Sequence, residues 1–294
     1  MGKLSYLAKT LSKQFKKSAY WCPNCGEKNS FVIERKYFIT SLRRCGRCGI
    51  MYRAPSDSIS DNEKFYNDDY EQGFTTDMPD ELSLRTMLED NFKAGEKDYS
   101  YYISVIDMLG YKAGCRLFDF GCSWGYGSYQ LAKAGFDVQS FEISIPRARY
   151  AEEKLGVSLI KSFDEWSNQS ENKGTFDIFF SSHVIEHVPS PSKMIASAKK
   201  LLKPGGLFIA FHPNGSLGSR AANPEWSKLW GEVHPNYLDS EFYDQALAEW
   251  PRMYGSSPVY IDEKQSDFLK ASALPATLRL DNLESMEMFV AARR

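Results

Sequence analysis

The chain is poor in histidine, with four in 294 residues, and it has almost no net charge, at -2. It has no run of 18 apolar residues, so no membrane-spanning helix is expected. The first residues lack the apolar core of a secretory signal, and no internal repeat is visible. Near-neutral charge gives no strong nucleic-acid signal, because phosphate contacts need clustered Lys and Arg. Only six cysteines are present, and four of them form two CxxC pairs. Pairs of that kind read as metal ligands in a reducing compartment rather than as disulfides, so the protein reads as cytoplasmic. Hydrophobic residues at 43% and charged residues at 25% fit one large globular domain with an appendage.

Residues 1–19 space Leu4, Leu7, Leu11 and Phe15 at helical intervals, with Lys3, Lys9, Lys13, Lys16 and Lys17 between them. This basic amphipathic helix packs on its own domain or makes peripheral contact with an anionic membrane surface. Residues 20–54 carry Cys22-Pro-Asn-Cys25-Gly and Cys45-Gly-Arg-Cys48-Gly. The spacing is that of a four-cysteine zinc ribbon, and four thiolates close a tetrahedral structural zinc with no open position. Phe31-Val32-Ile33 and Tyr37-Phe38-Ile39 read as the strands of a hairpin between the pairs. Such a unit is too small to fold without its metal. Arg43, Arg44, Arg47 and Arg53 leave a nucleic-acid-binding ribbon open.

Residues 55–110 form a linker and helical lid. An aromatic cluster of Phe65, Tyr66, Tyr70 and Phe74 is followed by a helical pattern from Glu81 to Leu109, interrupted near Gly95. From 111 to 294 the pattern alternates strand and helix: strands at Leu117–Phe120, Asp137–Phe141, Val157–Ile160, Phe176–Phe180, Leu207–Phe211, Val259–Ile261 and Met286–Ala291. The helices fall at Tyr126–Ala134, Pro146–Leu155 and Pro191–Leu202. This is an α/β, Rossmann-like sheet with helices on both faces.

Its first turn is Leu117-Phe-Asp119-Phe-Gly121-Cys122-Ser123-Trp-Gly125. A dinucleotide fingerprint needs G-x-G-x-x-G, and Ser123 and Tyr126 take its second and third glycine positions. The next strand ends on Glu142, whose carboxylate suits a ribose because it accepts from both hydroxyls. Asp119, Gly121 and Gly125 instead fit D-x-G-x-G-x-G. With that loop, FDIFFSSHVIEHVPSP and LLKPGGLFIAFHPN, residues 110–294 resemble the class I S-adenosylmethionine (SAM) methyltransferases, in the branch of the ubiquinone-biosynthesis O-methyltransferases. The resemblance implies SAM as cofactor. Asp119, Gly121, Cys122 and Gly125 would stand at its methionine end, Glu142 at the ribose, Phe163 near adenine, and Ser181 to His183 beside the methyl group. The cysteine ribbon, the aromatic-acid stretch and then the methyltransferase resemble enzymes of surface-polysaccharide and secondary-metabolite pathways, which implies a polar small-molecule or sugar-linked acceptor.

A hydroxyl acceptor benefits from a general base, and histidine is the usual one near neutral pH. His187 is the first choice, with His183 and His234 in reserve. His183 and His187 are four apart, so a helical turn would put them on one face. With Glu186 and His234 they could hold a divalent metal. That set is similar to the RNA 3′-terminal 2′-O-methyltransferases, with His183 where a Glu would stand, and it makes RNA methylation the rival activity. A SAM-binding scaffold without turnover is the rival from outside the enzymes. Oligomeric state is not legible.

Overall fold

The structure is a computed structural model and describes residues 10–58, 61, 77–231, 233–272 and 275–294. Leu4 and Leu7 of the amphipathic pattern, and the aromatics between 65 and 74, lie outside those residues. No helix among the described residues is long and apolar enough to cross a membrane. Leu11 and Phe15 are exposed, so that edge of the basic segment is not packed on the described residues.

The N-terminal sheet is built from β1 (Ser30–Lys36), β2 (Thr40–Cys45) and β3 (Met51–Ala54), all antiparallel. The second hairpin strand is not Tyr37–Ile39. Tyr37 and Phe38 sit in the left-handed region at the turn and are exposed. Their β propensity misleads, because the pairing that buries Leu42 requires the strand to start at Thr40. The sheet does not end with the ribbon. Its fourth strand is β9 (Asn236–Tyr237), which pairs Met51 with Tyr237 and Tyr52 with Asn236.

Two helices precede the large sheet, α1 (Glu81–Glu89) and α2 (Ser100–Met108). Asp80 caps α1 by accepting from the Ser83 amide at 2.8 Å. The sheet then uses β4 (Arg116–Phe120), β5 (Asp137–Phe141), β6 (Leu159–Ile160), β7 (Phe176–Ser182), β8 (Leu202–Pro213), β10 (Arg252–Ser257), β11 (Thr277–Arg279) and β12 (Glu287–Arg293). Its order is β11-β10-β12-β8-β7-β4-β5-β6, with β12 antiparallel to β8 and the run from β8 to β6 parallel. Helices α3 (Tyr126–Lys133), α4 (Ile145–Leu155), α5 (Phe163–Asn168) and α6 (Pro191–Leu201) connect the parallel strands. Later come α7 (Leu217–Ala222), α8 (Ser240–Ala246) and α9 (Glu263–Ala271).

One expected strand is replaced by irregular chain. Val259–Ile261 is not a strand, because Pro258 ends the ladder before it and β10 pairs with β12 so as to bury Met253 and Tyr254. Phe163 follows β6 and begins α5.

Alternation along the strands divides the core. Phe118, Phe179, Phe208 and Ala210 face one side of the sheet. Leu117, Ile178, Phe180, Leu207 and Phe211 face the other. The chain goes from β4 to β5 on one side and later to β7 on the other, so the strand order switches at β4. A crevice outside the carboxyl ends of β4 and β7 follows from that switch.

Candidate functional site

A cavity of about 880 Å³ opens at that switch point. Phe120 and Gly121 end β4 on its wall, Phe141 and Glu142 end β5, Phe163 opens α5, and His183, Val184 and His187 to Ser190 follow β7. Cavities of this size are typical of small-molecule and cofactor sites.

The loop after β4 is shaped by contacts within the protein. Gly121 has φ 86, and a Cβ there would come within 2.4 Å of Val184. Gly125 has φ 90, and its Cβ would meet Ala151 at 2.7 Å. Both glycines therefore serve close packing, a role distinct from close approach to a ligand. Between them Ser123 is also left-handed, and its amide donates to Glu142 Oε2 at 2.8 Å. The Ser144 amide donates to Glu142 Oε1 at 2.8 Å, so two backbone amides aim this carboxylate into the cavity. Burial raises the Glu142 carboxyl above its usual range, and the amides oppose that shift. Ser123 Oγ is buried and has no hydrogen-bond partner among the described residues. A ribose hydroxyl beside Glu142 and a polar ligand group beside Ser123 suit this wall, so the residues present fit SAM.

Asp119 does not line the cavity. It lies on the Leu117 side of β4 and accepts from Ser128 Oγ at 2.6 Å, which in turn accepts from Ser140 Oγ at 2.9 Å. Burial pushes its carboxyl up to about 7. Cys122, Gly125 and Ser181 also stand off the wall, and Ser181 is fully buried. Gly121, Glu142, Phe163, His183 and His187 share it. Phe163 stacks edge-on to Phe120 at 4.7 Å, so it is part of a fixed aromatic wall.

Residues 183–187 form a turn, not a helix, because His183 is left-handed with φ 53. The turn nevertheless collects the histidines. His187 Nδ1 donates to the Val233 carbonyl at 2.6 Å and His234 Nδ1 to the Leu229 carbonyl at 3.0 Å. A carbonyl only accepts, so in the neutral form Nδ1 carries the proton of each ring and Nε2 carries none. The two rings lie 4.9 Å apart. Glu186 is 1% exposed, with Oε1 3.7 Å from His187 Nε2 and 3.8 Å from His183 Nδ1. Neither Glu186 oxygen accepts a hydrogen bond among the described residues. Burial raises its carboxyl to about 8 and lowers His187 to about 3. Burial also lowers His183 and His234. Glu186, His187 and His234 offer ligand atoms within 4.8 Å of one another. His212 stands apart from this role, fully buried with its ring stacked 5.5 Å from Tyr243.

Two neighbours escape sequence reading. Glu287, from β12, brings Oε1 to 3.7 Å from His183 Nε2, through a strand pairing that no local pattern announces. Asn236 donates its backbone N–H to the Glu186 carbonyl at 3.1 Å and its side-chain amide to the Val188 carbonyl at 2.7 Å, bracing the turn from β9.

The four ribbon cysteines form a second centre. Cys22 and Cys48 sulfurs lie 3.6 Å apart, as do Cys25 and Cys45, and all four fall within 4.8 Å of one another. A tetrahedral zinc with bonds near 2.3 Å separates its sulfurs by about 3.8 Å. Amides of Arg47 and Cys48 point at Cys45 Sγ, as expected of a thiolate. The set fits zinc.

Residues 83–250 match a family model described as a methyltransferase domain. The ubiquinone biosynthesis O-methyltransferase of Ralstonia nicotianae is 31% identical over 195 residues, 62% of this chain and 77% of that one. The protein of the same name from Cereibacter sphaeroides is 31% identical over 123 residues, 40% of this chain and 50% of its own length. The chain thus spans about three quarters of the first relative's length and half of the second's. Among solved structures, geranyl diphosphate C-methyltransferase from Streptomyces coelicolor A3(2) superposes with a TM-score of 0.47 at 15% identity, covering 80% of this chain and 97% of that one.

Proposed function

Because the chain belongs to the methyltransferase-domain family, in its SAM-dependent class, we propose that it methylates a hydroxyl of a polar small-molecule or sugar-linked acceptor. The observation that carries this reading is the Glu142 carboxylate, held by two amides on the wall of the switch-point cavity beside the histidine turn. The named relatives are O-methyltransferases, which supports oxygen as the acceptor atom.

Bound SAM supplies an activated methyl group for in-line displacement, so the protein mainly holds and aligns the acceptor. Glu142 would hold the ribose, Phe163 would flank the adenine, and Gly121 and Ser123 would stand at the methionine end. His187 would accept the acceptor's proton at Nε2, a reading supported by the Val233 carbonyl, which holds the proton of the neutral ring at Nδ1. Transfer of labelled methyl groups across a panel of glycosides, sugar nucleotides and phenols tests the acceptor. Glu142→Ala should weaken SAM binding by about 1–3 kcal/mol, the cost of unpaired buried hydroxyls. Unchanged affinity by calorimetry would remove Glu142 from the ribose.

The orphaned Glu186 carboxylate favours a second reading, a divalent metal on Glu186, His187 and His234. The backbone carbonyls that hold both Nδ1 atoms are the outer partners such ligands need. His187 would then be a ligand, and the metal would take over activation of the hydroxyl. RNA would be one acceptor for such a site. Residues 1–53 hold twelve Lys and Arg against two Asp and Glu. Arg44 pairs with Asp239 and Arg53 with Asp57, which leaves fewer cations for phosphates. Thermal stabilisation by Mn²⁺ or Mg²⁺ in wild type, lost in His234→Ala, would favour the metal.

A further inference from the structure

One side chain joins the cysteine cluster to the cofactor cavity. Asn24 stands between Cys22 and Cys25 and is 8% exposed. Its Oδ1 accepts from the Ser192 amide at 2.8 Å and from Ser190 Oγ at 3.2 Å. Its Nδ2 donates to Ser192 Oγ at 2.8 Å and to Cys48 Sγ at 3.4 Å. Its backbone carbonyl also accepts from Ser190 Oγ at 3.2 Å.

These bonds perform a job that α6 leaves undone. The first amides of a helix have no partner within it. Ser190 stands at the N-cap position of α6, and its side chain makes no cap bond. Its hydroxyl turns to Asn24, and the Oδ1 of Asn24 takes the Ser192 amide from 168 positions away. The cap is thus supplied by the cysteine knuckle. Val188, Pro189, Ser190, Lys193 and Met194 at this end of α6 form one wall of the cavity.

We propose that Asn24 is a positioning residue for the cofactor, tying the α6 wall of the cavity to the four-cysteine centre so that metal and cofactor bind with positive coupling. The inference rests on the SAM-binding reading above. A metal-held thiolate at Cys48 is a stronger acceptor than a thiol, and it fixes the Asn24 amide whose other end orders α6. Cofactor pressing on that wall orders the same contacts from the opposite side. Coupling of this kind is reciprocal, so each ligand must tighten the other by the same factor.

The test uses the full chain, S-adenosylhomocysteine as the cofactor probe, and zinc. Asn24→Ala should keep its zinc and its circular dichroism yet bind S-adenosylhomocysteine on the order of tenfold more weakly, the size of a lost helix cap. Asn24→Asp keeps the acceptor for the Ser192 amide and loses both donors, so it should fall between. Saturating S-adenosylhomocysteine should slow zinc release to a chromogenic chelator in wild type, and should not in Asn24→Ala. Unchanged affinity in Asn24→Ala, or zinc release in wild type that ignores S-adenosylhomocysteine, overturns the proposal. If Asn24→Ala fails to fold, Asn24→Asp decides, and wild-type affinity there overturns it equally. Wild type that binds no S-adenosylhomocysteine at all is a different result, and it overturns the cofactor reading itself.

Discussion

Glu186 Oε1 lies 3.7 Å from His187 Nε2, an unprotonated ring nitrogen in the neutral tautomer, and neither Glu186 oxygen accepts a hydrogen bond among the described residues. Both are pushed by burial toward their neutral forms, Glu186 to about 8 and His187 to about 3.

Glu186 carries a stability cost at high pH. Its folded value, about 8, is above its ordinary 4.5. The protonated form is therefore favoured by folding, and stability falls as pH rises from about 4.5 to about 8. Each unit between the two values is worth about 1.4 kcal/mol. Glu186→Gln should flatten that loss and gain most over wild type near pH 8, in thermal unfolding without added divalent metal. Parallel pH curves for the two proteins would show that the carboxyl is already ionised by a partner.

His187→Asn should lower turnover by about 10²–10⁴-fold, with cofactor affinity little changed. With its imidazole held down to about 3, His187 stays neutral across the working range, so it contributes no step near pH 6.5. A wild-type rate that rises through an ordinary imidazole value would show that burial does not hold the base neutral, because the same burial lowers His183 and His234 as well. A loss of stability and cofactor affinity together, with turnover per folded molecule kept, would make His187 structural.

Gly121→Ala combines left-handed strain with a 2.4 Å approach to Val184. Strain and overpacking together predict a loss of roughly 2–5 kcal/mol, read by urea unfolding. Adding Val184→Ala should restore the overpacking part and leave the strain. If the double variant is no better than the single, the Val184 contact is not what excludes a side chain.

Metal analysis should find about one zinc per chain, held by four thiolates. Cys45→Ser should lose most of it and unfold or aggregate the N-terminal sheet. Purified protein with no zinc and paired thiols would rule the centre out.

The strands around the cavity were legible because they are short apolar runs ending in small or charged residues. Asp137–Phe141 matches β5 residue for residue, and Tyr126–Ala134 differs from α3 only at its last position. What escaped depends on pairing across the chain. The β12 register that brings Glu287 to His183 has no local signature. Neither has β9, whose two residues are a strand only because β3 lies beside them. Asp119 is an acid at the expected position, but its side of the strand turns it to Ser128, and a motif does not state which face its members take. The histidine turn was found for its composition, while its left-handed start at His183 hid the shape.

The pairing of β3 with β9 also sets an order of events during synthesis. Residues 51–54 leave the ribosome long before Asn236 exists, about 10–40 s at ordinary elongation rates. Through that interval β3 is an open edge, able to recruit any extended segment that passes. Arg53 within it is a charge of the kind that discourages such pairing, and in the finished protein it is buried against Asp57. A nascent chain slowed between residues 54 and 236 would prolong the exposure, so synonymous changes in that stretch should alter the yield of soluble protein without altering the protein.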